Sequence, residues 1–127
     1  MLNMKCPCGN ERDFSSCCEI IHHDLSKAET AEKLMRARYT AFVLGNIDFL
    51  YHTFHPTTRR YQTKKEIESW AKQNKWMQLE ILNSTYSTVE FKAYYLDQHF
   101  DVQVHHEKSK FKQVQHIWYY AEGMLIN

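Results

Sequence analysis

The sequence is poor in chain breakers, with three glycines and two prolines in 127 residues. That excludes collagen-like and low-complexity architectures. It has no apolar run near the roughly 20 residues needed to span a bilayer. The opening MLNMKCPC lacks the apolar core and small-residue cleavage site of a secretion signal. Neither charge sign is in excess: 16 basic and 15 acidic residues leave a formal net charge of +1. The whole-chain electrostatic case for nucleic acid or an anionic membrane therefore fails. After Cys18 there is no further cysteine. These absences predict a soluble, cytoplasmic chain with no membrane partner, for which nucleic acid is a poor fit.

What the sequence does have is apolar and aromatic mass, 43% and 14% respectively. That is too much for a disordered chain. The length suits one medium domain with a small appendage, able to bury a core without staples. The four cysteines sit together in CPCGNERDFSSCC, as Cys6, Cys8, Cys17 and Cys18. Four cysteines allow three disulfide pairings, but cytosolic thiols stay reduced. Metal fits better. Zinc takes four tetrahedral ligands, with thiolate sulfur at about 2.3 Å. Pro7 stiffens the first pair and Gly9 frees the backbone to turn after it. Four thiolates leave no open position, so the expected cofactor is a structural Zn2+. Redox chemistry and a disulfide are the lesser alternatives.

Downstream, Ala31, Leu34, Met35, Arg38, Ala41 and Phe42 recur at helical spacing and predict a helix over Ala28–Leu44, stopped by Gly45. Asn46 caps a short second helix whose Ile47, Leu50, Tyr51 and Phe54 share a face; His55-Pro56 ends it. Thr63 and Glu66 form a capping box for a third. Then the period changes to two. Met77, Leu79 and Ile81 alternate with polar residues, as do Val89, Phe91, Ala93 and Tyr95, and Phe100, Val102 and Val104. A last strand is expected over Val114–Tyr120. Helices first and half-buried antiparallel strands after them predict an α+β fold.

Motifs narrow this further. CPCGNERDFSSCC resembles the SEC-C cysteine knuckle, with all four cysteines, Pro7, Gly9 and Phe14 in place. It departs from the motif in its loop, where Glu11, Arg12 and Asp13 replace the usual lysines. LMRARYTAFVLGN (34–46), the HP at 55–56, HEKSKF (106–111) and WYY (118–120) resemble the YchJ family of bacterial proteins. The resemblance implies a SEC-C zinc knuckle over residues 1–24, followed by a nuclear-transport-factor-2-like domain over residues 25–127. In that fold three helices pack on a curved antiparallel sheet to make a cone with a cavity. Many members carry a second knuckle at the C-terminus. None precedes Asn127 here, so a role needing two knuckles is not expected.

Within this frame the candidate site residues are few. Arg38 lies in an apolar helical stripe, where a charge is expensive unless paired. It reads as an anion or carbonyl clamp, or as an internal ion pair. His106 continues the Phe100-Val102-Val104 alternation and is expected to face the cone as an acid or base. Glu107 would then face away, as a neighbour's partner or a solvated charge. His55 is a second acid/base candidate, or simply a cap. Tyr51 and Trp118 are candidate ligand contacts, or plain core. Arg36 is expected to be solvated. The eight histidines offer no clear third ligand for a second metal.

Three functions compete. The first is a zinc-clipped adaptor binding a protein or small ligand. The second is an enzyme acting on a small molecule, in which Arg38, His106 and a tyrosine hydroxyl converge. The third is an RNA- or ribosome-associated factor using the knuckle. The fold also leaves room for a homodimer through an exposed sheet face.

Overall fold

The computed structural model describes residues 4–127; residues 1–3, at the start of the expected knuckle segment, lie outside the described residues. The cysteine loop closes on its own backbone. Cys6 N–H donates to Arg12 O at 2.7 Å, Gly9 N–H to Cys6 O at 3.3 Å, and Phe14 N–H to Met4 O at 2.8 Å. Gly9 holds a φ of 84°, a left-handed turn that glycine enters without a Cβ clash. A short helix, α1 (Cys18–His23), follows.

The main helix α2 (Ala31–Leu44) starts three residues later than the periodicity suggests, because Thr30 is the cap: its Oγ1 accepts from Lys33 N–H at 3.1 Å. It ends at Gly45 in the left-handed region, as expected. In α3 (Ile47–His52) the Asn46 side chain accepts from Phe49 N–H, and in α5 (Lys64–Gln73) Thr63 accepts from Glu66 N–H. α3 ends at His52, short of the expected His55-Pro56 stop, and Phe54 instead bridges to Tyr120. Pro56 opens α4 (Pro56–Arg59), where its missing N–H costs nothing.

Four strands make one antiparallel sheet in the order β1 (Lys75–Ser84), β2 (Thr88–Leu96), β3 (Val102–Val114) and β4 (Ile117–Leu125). The fold is α+β, with α2 packed on the inner face against β1, β2 and β4. Leu34, Leu50 and Val89 are fully sealed at the centre. Register shifts at Met77, Leu82 and Ala121 leave these residues unpaired. Such bulges bend a strand and raise its twist.

Two strand expectations change. Val114–Tyr120 is not one strand but a hairpin. Gln115 and His116 both take positive φ, at 49° and 69°, in a two-residue turn, and Val114 pairs with Ile117. The phase of β3 is also opposite to that expected. Phe100, Val102 and Val104 are 81%, 61% and 48% exposed. The inward residues are His105, Glu107, Ser109 and Phe111, opposite Ala93, Phe91, Val89 and Tyr120. His106 therefore points out of the cone.

Candidate functional site

The inner sheet face and the helices enclose a cavity of about 360 Å³. Its walls are apolar and aromatic, built from Met35, Tyr39, Phe42, Trp70, Trp76 and Phe91. Its polar side holds Arg38 from α2, His105 and Glu107 from β3, and Tyr120 from β4. The volume lies at the small end of ligand sites.

Arg38 is 4% exposed and stands in no ion pair among the described residues. Its Nη1 donates to Leu50 O at 3.0 Å and to Thr53 Oγ1 at 2.5 Å. The guanidinium carbon lies 4.5 and 4.6 Å from the centroids of the Phe54 and Tyr120 rings, which meet each other edge to face. Aromatic rings this close favour a cation there. Among the described residues Nε and Nη2 have no acceptor, yet neither is sealed from solvent. Burial pulls the group down to about 10, so it stays charged at neutral pH. The Tyr39 hydroxyl also lacks a partner among the described residues, and burial pushes it up to about 12.

Glu107 is engaged differently. Its Oε1 is 2.7 Å from His105 Nε2, while Oε2 accepts from Ser109 Oγ and, at 2.7 Å, from Tyr120 Oη. Burial works to raise its carboxyl, but these bonds outweigh it and hold the group below the ordinary glutamate range. Tyr120 is pushed well above the ordinary tyrosine value, by burial first and by Glu107 second.

The cysteines form a separate cluster. Their four Sγ atoms lie within 4.8 Å of one another, Cys8 and Cys17 at 3.7 Å, and all four are free thiols. Sulfurs around one tetrahedral zinc would stand about 3.8 Å apart, so the donor set and its spacing suit a metal ion. The cluster is fastened to α2: Arg36 Nη1 donates to Cys8 O at 2.7 Å, His22 Nε2 to Ala37 O at 2.8 Å, and Cys6 Sγ lies 3.8 Å from Thr40 Oγ1. Arg36, expected in solvent, is thus the tether, and it also pairs with Glu32 at 3.0 Å.

A family profile described as "YchJ, middle NTF2-like domain" matches residues 30–123. The chain belongs to the YchJ family. Its curated relatives carry UPF0225 names. One from Photorhabdus laumondii is 36% identical, the alignment covering 94% of this chain and 79% of the relative. Another, from Geobacter sulfurreducens, is 38% identical, with 93% and 77% covered. The solution structure of a SEC-C motif containing protein from Rhodopseudomonas palustris superposes with a TM-score of 0.89 at 30% identity, covering 98% of this chain and 100% of that one. The crystal structure of a SEC-C motif containing protein from Psychrobacter arcticus gives 0.79 at 30%, covering 98% and 84%. This YchJ protein therefore combines a SEC-C motif with an NTF2-like domain. Among its described residues no helix is long and apolar enough to cross a membrane.

Within the YchJ cone, the structure brings together only part of the expected site. Arg38 lies in the cavity. His106 does not: on the outer face it sits 2.7 Å from Glu90. His55 caps α4, its Nδ1 accepting from Thr57 N–H at 3.2 Å. Tyr51 lies outside the cavity, with Lys64 over its ring at 5.5 Å. Trp118 packs on Tyr86 near the Glu32–Ser84 contact, and its indole N–H has no partner among the described residues. His105, Ser109, Tyr120 and Tyr39 are the site groups that sequence reasoning passes over. Counting back by twos from Phe111 would find the β3 pair.

Proposed function

We propose that this chain is a zinc-clipped binding module. In it, Cys6, Cys8, Cys17 and Cys18 of a knuckle spanning residues 1–24 hold one structural Zn2+. Residues 25–127 form a cone that takes a small ligand. A closed thiolate set supplies folding energy to the segment around it and offers no site for chemistry. A cytoplasmic location, where thiols stay reduced, suits such a cluster.

One observation carries the ligand reading: a buried guanidinium with no direct ion-pair partner among the described residues and with unused donors inside an aromatic cavity. A buried cation without an ion-pair partner works against stability. An arrangement that keeps its free N–H groups toward open space makes sense as recognition. The test is binding of small planar compounds by the zinc-loaded chain, followed through Trp70 and Trp76. Ala93→Phe, which fills the cavity, should abolish binding, and His106→Ala should leave it intact. Binding that survives Ala93→Phe and fails in His106→Ala would sink the reading.

A second reading, an enzyme in the same cone, draws support from the His105–Glu107 contact. A carboxylate at Nε2 fixes the imidazole tautomer and leaves Nδ1 free as a base. It requires His105→Asn to remove turnover while substrate still binds. RNA association gains no support from a net charge of +1 and a knuckle loop carrying Glu11 and Asp13.

A further inference from the structure

If the cone takes a small ligand, as proposed, the chemistry of its walls names the class of that ligand, an assignment that rests on the binding-module reading. Arg38 spends both hydrogens of one terminal nitrogen on Leu50 O and Thr53 Oγ1. What remains is Nε–H together with Nη2–H, the side-on edge of the guanidinium. Two parallel N–H groups on that edge match the two oxygens of a carboxylate. The two Nη1 hydrogen bonds, with the Phe54 and Tyr120 rings packed beside the group, fix the plane, so the edge is pre-oriented.

The cavity's own carboxylate does not take this edge. Glu107 directs its two oxygens to His105, Ser109 and Tyr120 and forms no ion pair with Arg38. The Tyr39 hydroxyl lines the same space as a neutral donor. Most of the remaining wall is aromatic, from Phe42, Trp70, Trp76 and Phe91, and its other polar groups are Thr58, Gln62 and Glu122, none of them a cation for a second carboxylate.

We infer that the cone's ligand is a small monocarboxylate on a flat apolar body, held side-on by Nε and Nη2 of Arg38 with its ring against Trp70 and Trp76. Glu107 acts as a fixed counter-charge that holds Tyr120 and His105 in place, not as a ligand contact.

The experiment is calorimetric titration of the zinc-loaded chain with matched sets on three bodies: benzoate, indole-3-carboxylate and 2-naphthoate, each beside its amide and its hydroxymethyl analogue. At least one carboxylate should bind about tenfold or more tighter than its amide, as expected when a charge-assisted pair is lost. Arg38→Met should remove that preference while the amide's affinity stays within about threefold, and Arg38→Lys, which keeps the charge but lacks the fork, should lose most of it. The wild-type comparison needs no variant, so misfolding of Arg38→Met would leave the test standing. Amides or alcohols binding as tightly as carboxylates, the result if the Glu107 charge dominates, would overturn the carboxylate assignment and leave the binding module. Silence from every compound would overturn the binding module itself.

Discussion

Glu107→Ala tests how the polar side of the cone is held together. The carboxylate is 9% exposed and is engaged by His105, Ser109 and Tyr120. Its removal strands three donors and takes away a negative charge that favours the buried Arg38 cation. Hydrogen bonds to a charged acceptor contribute about 1.5–3 kcal/mol each, but bonds sharing one acceptor do not add. Breaking a buried charged cluster from one side costs about 3–5 kcal/mol, and that is the expected loss. Glu107→Gln should be gentler. Its amide oxygen can accept from both hydroxyls while its NH2 group donates to His105 in the other tautomer. Only the counter-charge is lost, for about 1–2 kcal/mol. The assay is urea unfolding of the zinc-loaded proteins, with equal slopes required before midpoints are compared. An alanine variant within about 1 kcal/mol of wild type, or a glutamine variant as damaged as the alanine one, would refute the network as described.

Three further outcomes are expected. Gly123→Ala places a methyl against the Glu107 carboxylate and the Tyr120 hydroxyl, and should cost about 1–3 kcal/mol in the same urea assay and weaken cavity binding. His22 is held neutral by burial between α1 and α2, so its folded value lies below the ordinary 6.5. The unfolded chain then takes up its proton first, and His22's contribution, full above pH 6.5, is lost as pH falls below it. Wild type should lose stability over that window and His22→Gln should not; stability that rises on acidification would contradict this. Cys17→Ala should empty the metal site, read as zinc per chain by elemental analysis, and open the cysteine loop to protease. A variant that retains full metal would exclude Cys17 as a ligand.

The helical half is legible in the sequence because its signals are local. Gly45, Asn46 and Thr63 act at the positions where caps are readable from residue type alone. Thr30 escapes notice as a cap because Ala28 and Ala31 continue the apolar pattern across it, and α4 because four residues carry no periodicity. The cysteine cluster is legible because spacing and donor chemistry together leave few alternatives. The cone site is misread for a specific reason. On β3 the apolar residues Val102 and Val104 lie outside, and the inner positions carry His105, Glu107 and Ser109. Alternation marks the apolar face only when the core is apolar. A strand that sends polar side chains inward to a cavity inverts the signal, and Phe111 is the single inward residue that keeps it. Arg38 escapes this error because a lone charge in a helical stripe stands out against its neighbours.

The central claim is that the cysteines clip the chain and that recognition takes place in the cone. A crystal structure of the zinc-loaded chain, grown with whichever carboxylate binds in the titrations, tests it most directly. The account predicts one ion enclosed by Cys6, Cys8, Cys17 and Cys18 with no further ligand, and the carboxylate in density on the side-on edge of Arg38. A ligand bound at the cysteine site beside an empty cone would contradict it.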